Sequence, residues 1–517
     1  MQTGNDKLSI KPGNRTRQIF SGSIWGILAK ITDALAKFIT IPILVSFYGK
    51  ADYGLIALAF SLNAYLRLMD LGFNVGAVRY FSMWVESGEL DKVGAVSRSS
   101  IIFYGVVGLI NALIFIVMAD FGPDLFNITA NQVPIYREIM YILAFSTVLN
   151  WLANVAVQLL SAKDELGYIN RVLLLSSVFN FGVALLAIYF QWSLITYFIC
   201  YTLSTLIPIP FYIWRLRVFQ LPVRSLITPR WHGAAFKEIL TYSLAIFIMG
   251  LFQLTANNLR PLLLAKFADG TEVLTDYRVI QTIAMLIVAF GGVFMQVLLP
   301  SSAKIHAQGD HNRMERLMFE ATKYISIFLA LMVFGLILNA NDILRLYMGD
   351  DYGHLTVWLS LWLLTVLLSM HNTPVASMVL STGKTRFLVY SSATACLLSL
   401  PITVVLATRF QVGAAVIGYL VYMVLQIGFF YAYYIPKVLR LDGFRLFTRA
   451  FLPAAIGGGM CMLVTRYVTG YLPVATGYGL LILNSVIFVL LYVVYLFVFV
   501  IKMTDIHYLK RVLISEK

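Results

Sequence analysis

Fourteen continuous apolar runs, most of them 20 residues or longer and separated by short polar breaks, constrain this chain more than anything else in it. A helix that crosses a bilayer needs about 20 mostly apolar residues. The runs fall near 21–48, 54–77, 99–119, 136–160, 171–190, 194–214, 238–266, 277–299, 318–338, 355–380, 387–408, 413–435, 450–470 and 475–501. Their continuity selects helices over a β-barrel, whose strands are short and alternate in polarity. Of 517 residues, 60% are hydrophobic and 12% charged, about half the charge of a soluble protein. With a mean hydropathy of +0.81, this excludes a soluble enzyme, a nucleic-acid binder and a disordered chain. The expected fold is an all-α polytopic membrane protein with about 14 transmembrane helices.

The net charge of +14 is the mark of topology and not of nucleic acid. Seven basic residues (Lys50, Arg137, Lys266, Arg278, Arg345, Arg409, Arg466) border the odd-numbered gaps, and 28 lie in the even-numbered gaps and termini. Cytoplasmic loops are enriched in Lys and Arg, so both termini are expected in the cytoplasm. The polar, basic first residues run straight into an apolar stretch without a cleavage-site pattern, so the first span is expected to be retained. The loop 215–237, with Arg215, Arg217, Arg224, Arg230 and Lys237, reads as an orientation signal beside anionic lipid. Cys200, Cys396 and Cys461 lie inside apolar runs and read as packing residues, neither disulfides nor metal ligands.

Three anchors recur at a nearly constant offset. Pro42-Ile43-Leu44-Val45 returns as Pro261-Leu262-Leu263-Leu264, an offset of 219. Gly88-Glu89 with Lys92 returns as Gly309-Asp310 with Arg313, an offset of 221, and Leu160-Ser161-Ala162 as Leu380-Ser381-Thr382, an offset of 220. Six spans separate equivalent points, so the two halves share one orientation, the parallel-repeat arrangement of a class of transporters. The expected organisation is a cytoplasmic segment 1–20, a six-helix lobe 21–214 and the basic linker 215–237. A pseudo-symmetric six-helix lobe 238–435, an additional helix pair 450–501 and a cytoplasmic tail 502–517 complete it.

Charge inside an apolar span costs roughly 2.5–3.5 kcal/mol at mid-membrane. Lys30, Asp33 and Lys37 nevertheless lie within about 60° of one another on span 1. Asn63, Arg67, Asp70 and Asn74 do the same on span 2, and Gln253, Asn257 and Arg260 on span 7. Two readings compete. In one, Lys30 with Asp33 and Arg67 with Asp70 pair locally and only pin helices. In the other, four basic against two acidic residues leave a hydrated interior near +2 that takes an anion. On that reading Lys30, Lys37, Arg67, Arg260, Asn63, Gln253 and Asn257 bind substrate, and Asp33 and Asp70 are candidates for ion coupling.

The remaining signals carry less. His371 before Pro374 reads as a hydrogen-bonded residue at a helix kink rather than a catalytic group. Thr382-Gly383-Lys384-Thr385 imitates the end of a phosphate-binding loop, but Met378 stands at the required upstream glycine and the context is a loop between spans. Gly22 with Gly26, Gly72 with Gly76, and Gly457-Gly458-Gly459 suit close helix packing. No catalytic residue, metal site or cofactor is expected.

The stretch Tyr48-Gly49-Lys50-Ala51-Asp52-Tyr53-Gly54, then Asp70-Leu71-Gly72-Phe73 and Val78-Arg79-Tyr80, resembles the opening of bacterial polysaccharide exporters. So does Leu344-Arg345-Leu346-Tyr347-Met348-Gly349 before span 10. The chain is similar to the O-antigen-type flippases of the multidrug/oligosaccharidyl-lipid/polysaccharide exporter superfamily. That resemblance implies a non-enzymatic inner-membrane flippase carrying undecaprenyl-pyrophosphate-linked oligosaccharide to the outer leaflet by alternating access. It implies two lobes around a central cavity, with spans 13 and 14 holding the lipid tail. Lipid-linked oligosaccharide, membrane lipids and the polysaccharide polymerase and chain-length machinery are the partners it implies. A multidrug antiporter of the same superfamily and an integral-membrane glycan-modifying enzyme are the alternatives.

Overall fold

The computed structural model describes residues 12–220, 222–308, 310–382, 386–471 and 478–500. The terminal segments 1–11 and 501–517, Gly309 of the repeat and Gly383-Lys384-Thr385 lie outside the described residues. Described regular structure is helical throughout. The first half runs α1 (Pro12–Tyr48), α2 (Lys50–Leu66), α3 (Phe73–Glu86), α4 (Leu90–Leu125), α5 (Val133–Ala162), α6 (Leu166–Tyr189), α7 (Leu194–Leu206), α8 (Pro208–Arg215), α9 (Val223–Ile227) and α10 (Gly233–Phe267). The second runs α11 (Glu272–Gln308), α12 (His311–Leu338), α13 (Ala340–Met348), α14 (Thr356–Met370), α15 (Thr373–Thr382), α16 (Arg386–Phe410), α17 (Val412–Phe429), α18 (Gly443–Leu446), α19 (Leu452–Gly470) and α20 (Tyr478–Tyr495). Among the described residues, ten helices are long and apolar enough to cross a membrane, or eleven when the bent pair Lys50–Asp70 and Phe73–Glu86 counts as one span. The protein is an integral membrane protein.

Helix ends carry the internal repeat. Tyr48 and Phe267 close α1 and α10, 219 residues apart, and Pro42 and Pro261 each stand six residues before those ends. Leu90 and His311 open α4 and α12, an offset of 221, while Ala162 and Thr382 close α5 and α15, an offset of 220.

The chain divides into two compact units, Met1–Thr275 and Asp276–Lys517. The lobes expected from sequence equivalence are 21–214 and 238–435, whereas the division into compact units leaves α10 inside the first unit. Its aromatic and small residues explain this. Phe236 of α10 stacks on Phe73 of α3 with ring centroids 5.0 Å apart. A Cβ on Gly76 would run into the Ser243 hydroxyl, so α3 and α10 touch where only a glycine fits. The linker is tied down as well: Ser97 donates to the Leu226 carbonyl (2.8 Å), and Arg215 pairs with Glu165 (2.7 Å). Within the same unit Gly22 and Gly26 bring α1 against Leu166 and Asn170 of α6, and the Asn170 amide donates to the Gly22 carbonyl (3.0 Å).

In the second unit the long helices are interrupted rather than straight. The run 355–380 breaks between α14 and α15 at His371-Asn372, and π-helical turns cover Phe430–Val438 and Phe447–Phe451. The additional helix pair docks on α12 through polar as well as apolar contacts. Asn484 donates to Asn339 (3.1 Å), the Tyr492 hydroxyl donates to the Ile327 carbonyl (3.2 Å), and Gly458 admits the Phe334 ring.

Candidate functional site

All the charged and polar stripes lie in the first unit, on α1, on α2 with its 3₁₀ extension Arg67–Asp70, and on α10. On α1, Lys30 and Lys37 are exposed, and the Lys37 ammonium pairs with Asp33 at 2.7 Å, four residues back. Local pairing therefore takes Lys37, not Lys30. The side chains of this pair are 61% and 45% exposed, so the bond contributes little to stability. The direction in which these charges point carries more. Ile24, Leu28, Leu35 and Ile39 are also exposed, and helical geometry puts them within about 60° of one another. The charged stripe of Lys30, Asp33 and Lys37 is centred about 180° from them. One side of α1 thus suits acyl chains and the opposite side suits water.

On α2, Asn63 is half-buried and Arg67 exposed. After Asp70 the helix breaks at Leu71 (φ 51°) and Gly72 (φ 70°), both left-handed, before α3 begins. Gly72 suits that conformation because it has no Cβ. Asp70 sits at this break and accepts from the Asn74 backbone N–H (3.1 Å), which covers one of the open donors in the first turn of α3. Its other oxygen accepts from the Tyr104 hydroxyl (2.7 Å) on α4. The local-pairing reading expected Arg67 to engage Asp70; Tyr104 and the helix N-terminus do so instead.

On α10, Gln253 is exposed, Asn257 half-buried and Arg260 buried at 2% exposure. Two fixed points align α10 and the start of α11 with α2 and α3. At one end Thr271 and Thr275 donate to the carbonyls of Ala51 (2.9 Å) and Lys50 (2.7 Å), and Gly54 sits against the Thr271 carbonyl. At the other end Ser243 lies against Gly72 and Gly76. Between these points lie Asn63 to Asp70 on one side of the pair and Gln253 to Arg260 on the other, so the two polar stripes occupy the same stretch. The family-like stretch 48–54 therefore works as a backbone clasp, with the Gln132 amide donating to Asp52 (3.0 Å).

Sequence reasoning missed the partners of Asp70. Tyr104 is buried beside it and Gln158, also buried, donates to the Tyr104 hydroxyl at 2.6 Å, while buried Asn111 donates to the sulfur of the adjacent Met69. Their signal was present, since Asn111 and Gln158 are isolated polar residues inside apolar spans.

His371 behaves as the sequence indicates. It is wholly buried, its Nε2 is 3.0 Å from the Tyr431 hydroxyl, its Nδ1 is 2.5 Å from the Leu368 carbonyl, and its ring stacks on Phe451 at 4.1 Å. Among the described residues no group of three or more His, Cys, Asp or Glu side chains is placed to hold a metal ion.

The family model for polysaccharide biosynthesis proteins matches residues 19–306. A search of curated protein sequences returns no match. Among solved structures, the lipid II flippase MurJ in an inward closed conformation aligns with a TM-score of 0.66 at 13% identity, covering 94% of this chain and 98% of that one. An inward-facing multidrug resistance MATE family transporter of the MOP superfamily aligns with a TM-score of 0.64 at 15% identity, covering 80% and 96%. A MOP superfamily transporter from Pyrococcus furiosus, whose binding pocket is described as reversed in polarity, aligns at 0.60 with 15% identity, covering 84% and 96%. At such identities the likeness establishes a shared fold. The matched structures are flippases and transporters rather than enzymes.

Proposed function

The chain belongs to the polysaccharide biosynthesis protein family, and from that premise we propose that it flips a lipid-linked oligosaccharide across the bacterial inner membrane. The substrate class is undecaprenyl-pyrophosphate-linked repeat units of O-antigen or another surface polysaccharide, moved to the outer leaflet by alternating access with both termini cytoplasmic. On this reading α1, α10 and α11 are further spans beside the eleven, which gives the fourteen that the apolar runs call for.

One observation carries the proposal: the charged stripe of α1 faces away from its own apolar exposed side. Lipid accepts Ile24, Leu28, Leu35 and Ile39 and rejects Lys30 and Lys37, so a wet, cationic path runs along the opposite side. A lipid-linked sugar presents the matching problem, an anionic head that cannot enter hydrocarbon and a tail that has no need to leave it. Lys30, Lys37 and Arg67 meet the diphosphate, and Asn63, Gln253 and Asn257 supply hydrogen bonds to it and to sugar hydroxyls. Arg260 is buried and comes into play as the helices shift between states. A basic path is ill-matched to the cationic drugs of a multidrug antiporter, and His371, enclosed in aromatic rings, is ill-placed for a glycan-modifying enzyme.

The test is reconstitution into vesicles with a fluorescent undecaprenyl-pyrophosphate oligosaccharide, following its movement between leaflets. The Lys37→Ala, Arg260→Ala double variant is expected to lose at least tenfold in rate while inserting normally. Unchanged flipping by that variant would remove the proposal.

A further inference from the structure

The polar side of α10 does not end at Gln253. Tyr242 lies about three turns nearer the start of the helix, and at 100° per residue it falls within about 20° of both Gln253 and Arg260. Arg79 of α3 rests on it, with the guanidinium carbon 4.3 Å from the Tyr242 ring centroid. Tyr80 closes the pair from the side, edge-on to Tyr242 at 5.9 Å. Ser243, the next residue of α10, lies against Gly72 and Gly76, so the seam between α3 and α10 fixes both partners. Arg79 is exposed, and among the described residues no carboxylate pairs with it. A guanidinium resting on a ring keeps its N–H edge for other acceptors, in a fork that matches phosphate oxygens.

Arg79 stands two residues past the apolar run 54–77, and Tyr242 four residues into the run that begins near 238. Both lie where hydrocarbon gives way to headgroups, on the proposed cytoplasmic side. Two features set Arg79 apart from an arginine that only snorkels to headgroups. It is pinned by a ring on another helix, and that ring shares its side with Gln253 and Arg260.

We propose that Arg79, held by Tyr242, is the loading point at which the diphosphate of a lipid-linked oligosaccharide is taken from the inner leaflet before it reaches Lys30, Lys37 and Arg67. This rests on the proposed function and adds its first step. A diphosphate on a polyprenyl chain lies at headgroup depth, the depth of Arg79, and carries more charge than the phosphodiester of an ordinary lipid. The edge of one guanidinium spans two of its oxygens. Tyr242 is a positioning residue: without its ring the arginine swings freely, so affinity falls with no charge lost.

The test is equilibrium binding of undecaprenyl diphosphate to the purified full chain in detergent, beside undecaprenol as a probe of the tail and phosphatidylglycerol as a probe of a single phosphate. Arg79→Gln is expected to weaken diphosphate binding about fivefold or more, with undecaprenol binding unmoved. Arg79→Lys recovers part of the loss, because the charge returns without the fork. Tyr242→Leu weakens binding several-fold, and Tyr242→Phe, which keeps a ring, weakens it less. In vesicles, Arg79→Gln raises the substrate concentration for half-maximal flipping by a similar factor and leaves the maximal rate within about twofold, a split that misfolding does not imitate. Four results would overturn the loading point: no saturable diphosphate binding by the wild type, undiminished binding by Arg79→Gln, displacement by phosphatidylglycerol at equal concentration, or a lower maximal rate at unchanged half-saturation. The binding arm needs no transport, so it can fail while the flippase reading stands. Wild-type vesicles that move no substrate, with Arg79 still governing binding, remove the flippase reading and leave the anion site.

Discussion

An apolar run breaks at a polar residue in each unit, and the two breaks differ in how that residue is housed. At Leu71-Gly72 the break carries two left-handed residues and a partly exposed carboxylate that accepts from the Tyr104 hydroxyl and the Asn74 backbone N–H. At His371-Asn372 the break carries a fully buried imidazole, boxed by Tyr431, Phe447 and Phe451 and bonded at both ring nitrogens. At the second break the imidazole has partners at both ring nitrogens and packs against aromatic rings, while among the described residues the neighbouring Asn372 Oδ1 is buried without one. A polar residue inside a span is therefore not by itself a sign of function. What separates the two is exposure, since Asp70 is partly exposed and His371 is wholly buried.

The comparison can be broken by substitution. The largest effect is expected for His371→Ala, which removes a packed ring and two hydrogen bonds and should destabilise the protein by about 2–4 kcal/mol, read as a fall in Tm. If His371→Ala instead melts normally and loses only flipping, the imidazole is a working group and the contrast collapses. Gly76→Val comes next, because its side chain would drive into Ser243 and separate α3 from α10, at about 1–3 kcal/mol. Tyr431→Phe should cost about 1 kcal/mol by leaving His371 Nε2 without its partner, read as a fall in Tm. Asp70→Asn should change stability by under about 1 kcal/mol, since an amide oxygen can keep one of the two bonds. Lys30→Gln should leave Tm unchanged and slow flipping only, because Lys30 is exposed and forms no ion pair among the described residues.

Much of this was legible in the chain alone. The apolar runs specify helices because a backbone in hydrocarbon has to satisfy its own hydrogen bonds, and their 3.6-residue period placed Lys30, Asp33 and Lys37 on one side of α1. The repeat offsets 219, 221 and 220 return as helix ends, since prolines and turn residues act locally and need no tertiary context. His371 was recognisable from Pro374 three residues on. The motif at residues 48–54 indicated kinship but not its physical job as a clasp on Thr271 and Thr275, because those partners lie some 220 residues away.

Periodicity and composition thus determined on their own that this chain lives in a membrane as a bundle of helices, and which side of α1 is polar. Partner choice belonged to the tertiary structure. Nothing local tells Asp33 to take Lys37 over Lys30, or Asp70 to take Tyr104 over Arg67, since each candidate is within reach along its helix. The decision comes from which neighbouring helix arrives and what it brings. Here α4 delivers a buried hydroxyl to Asp70 and α5 a buried amide behind it, and those long-range contacts turn a charge in an apolar run into a shaped polar site.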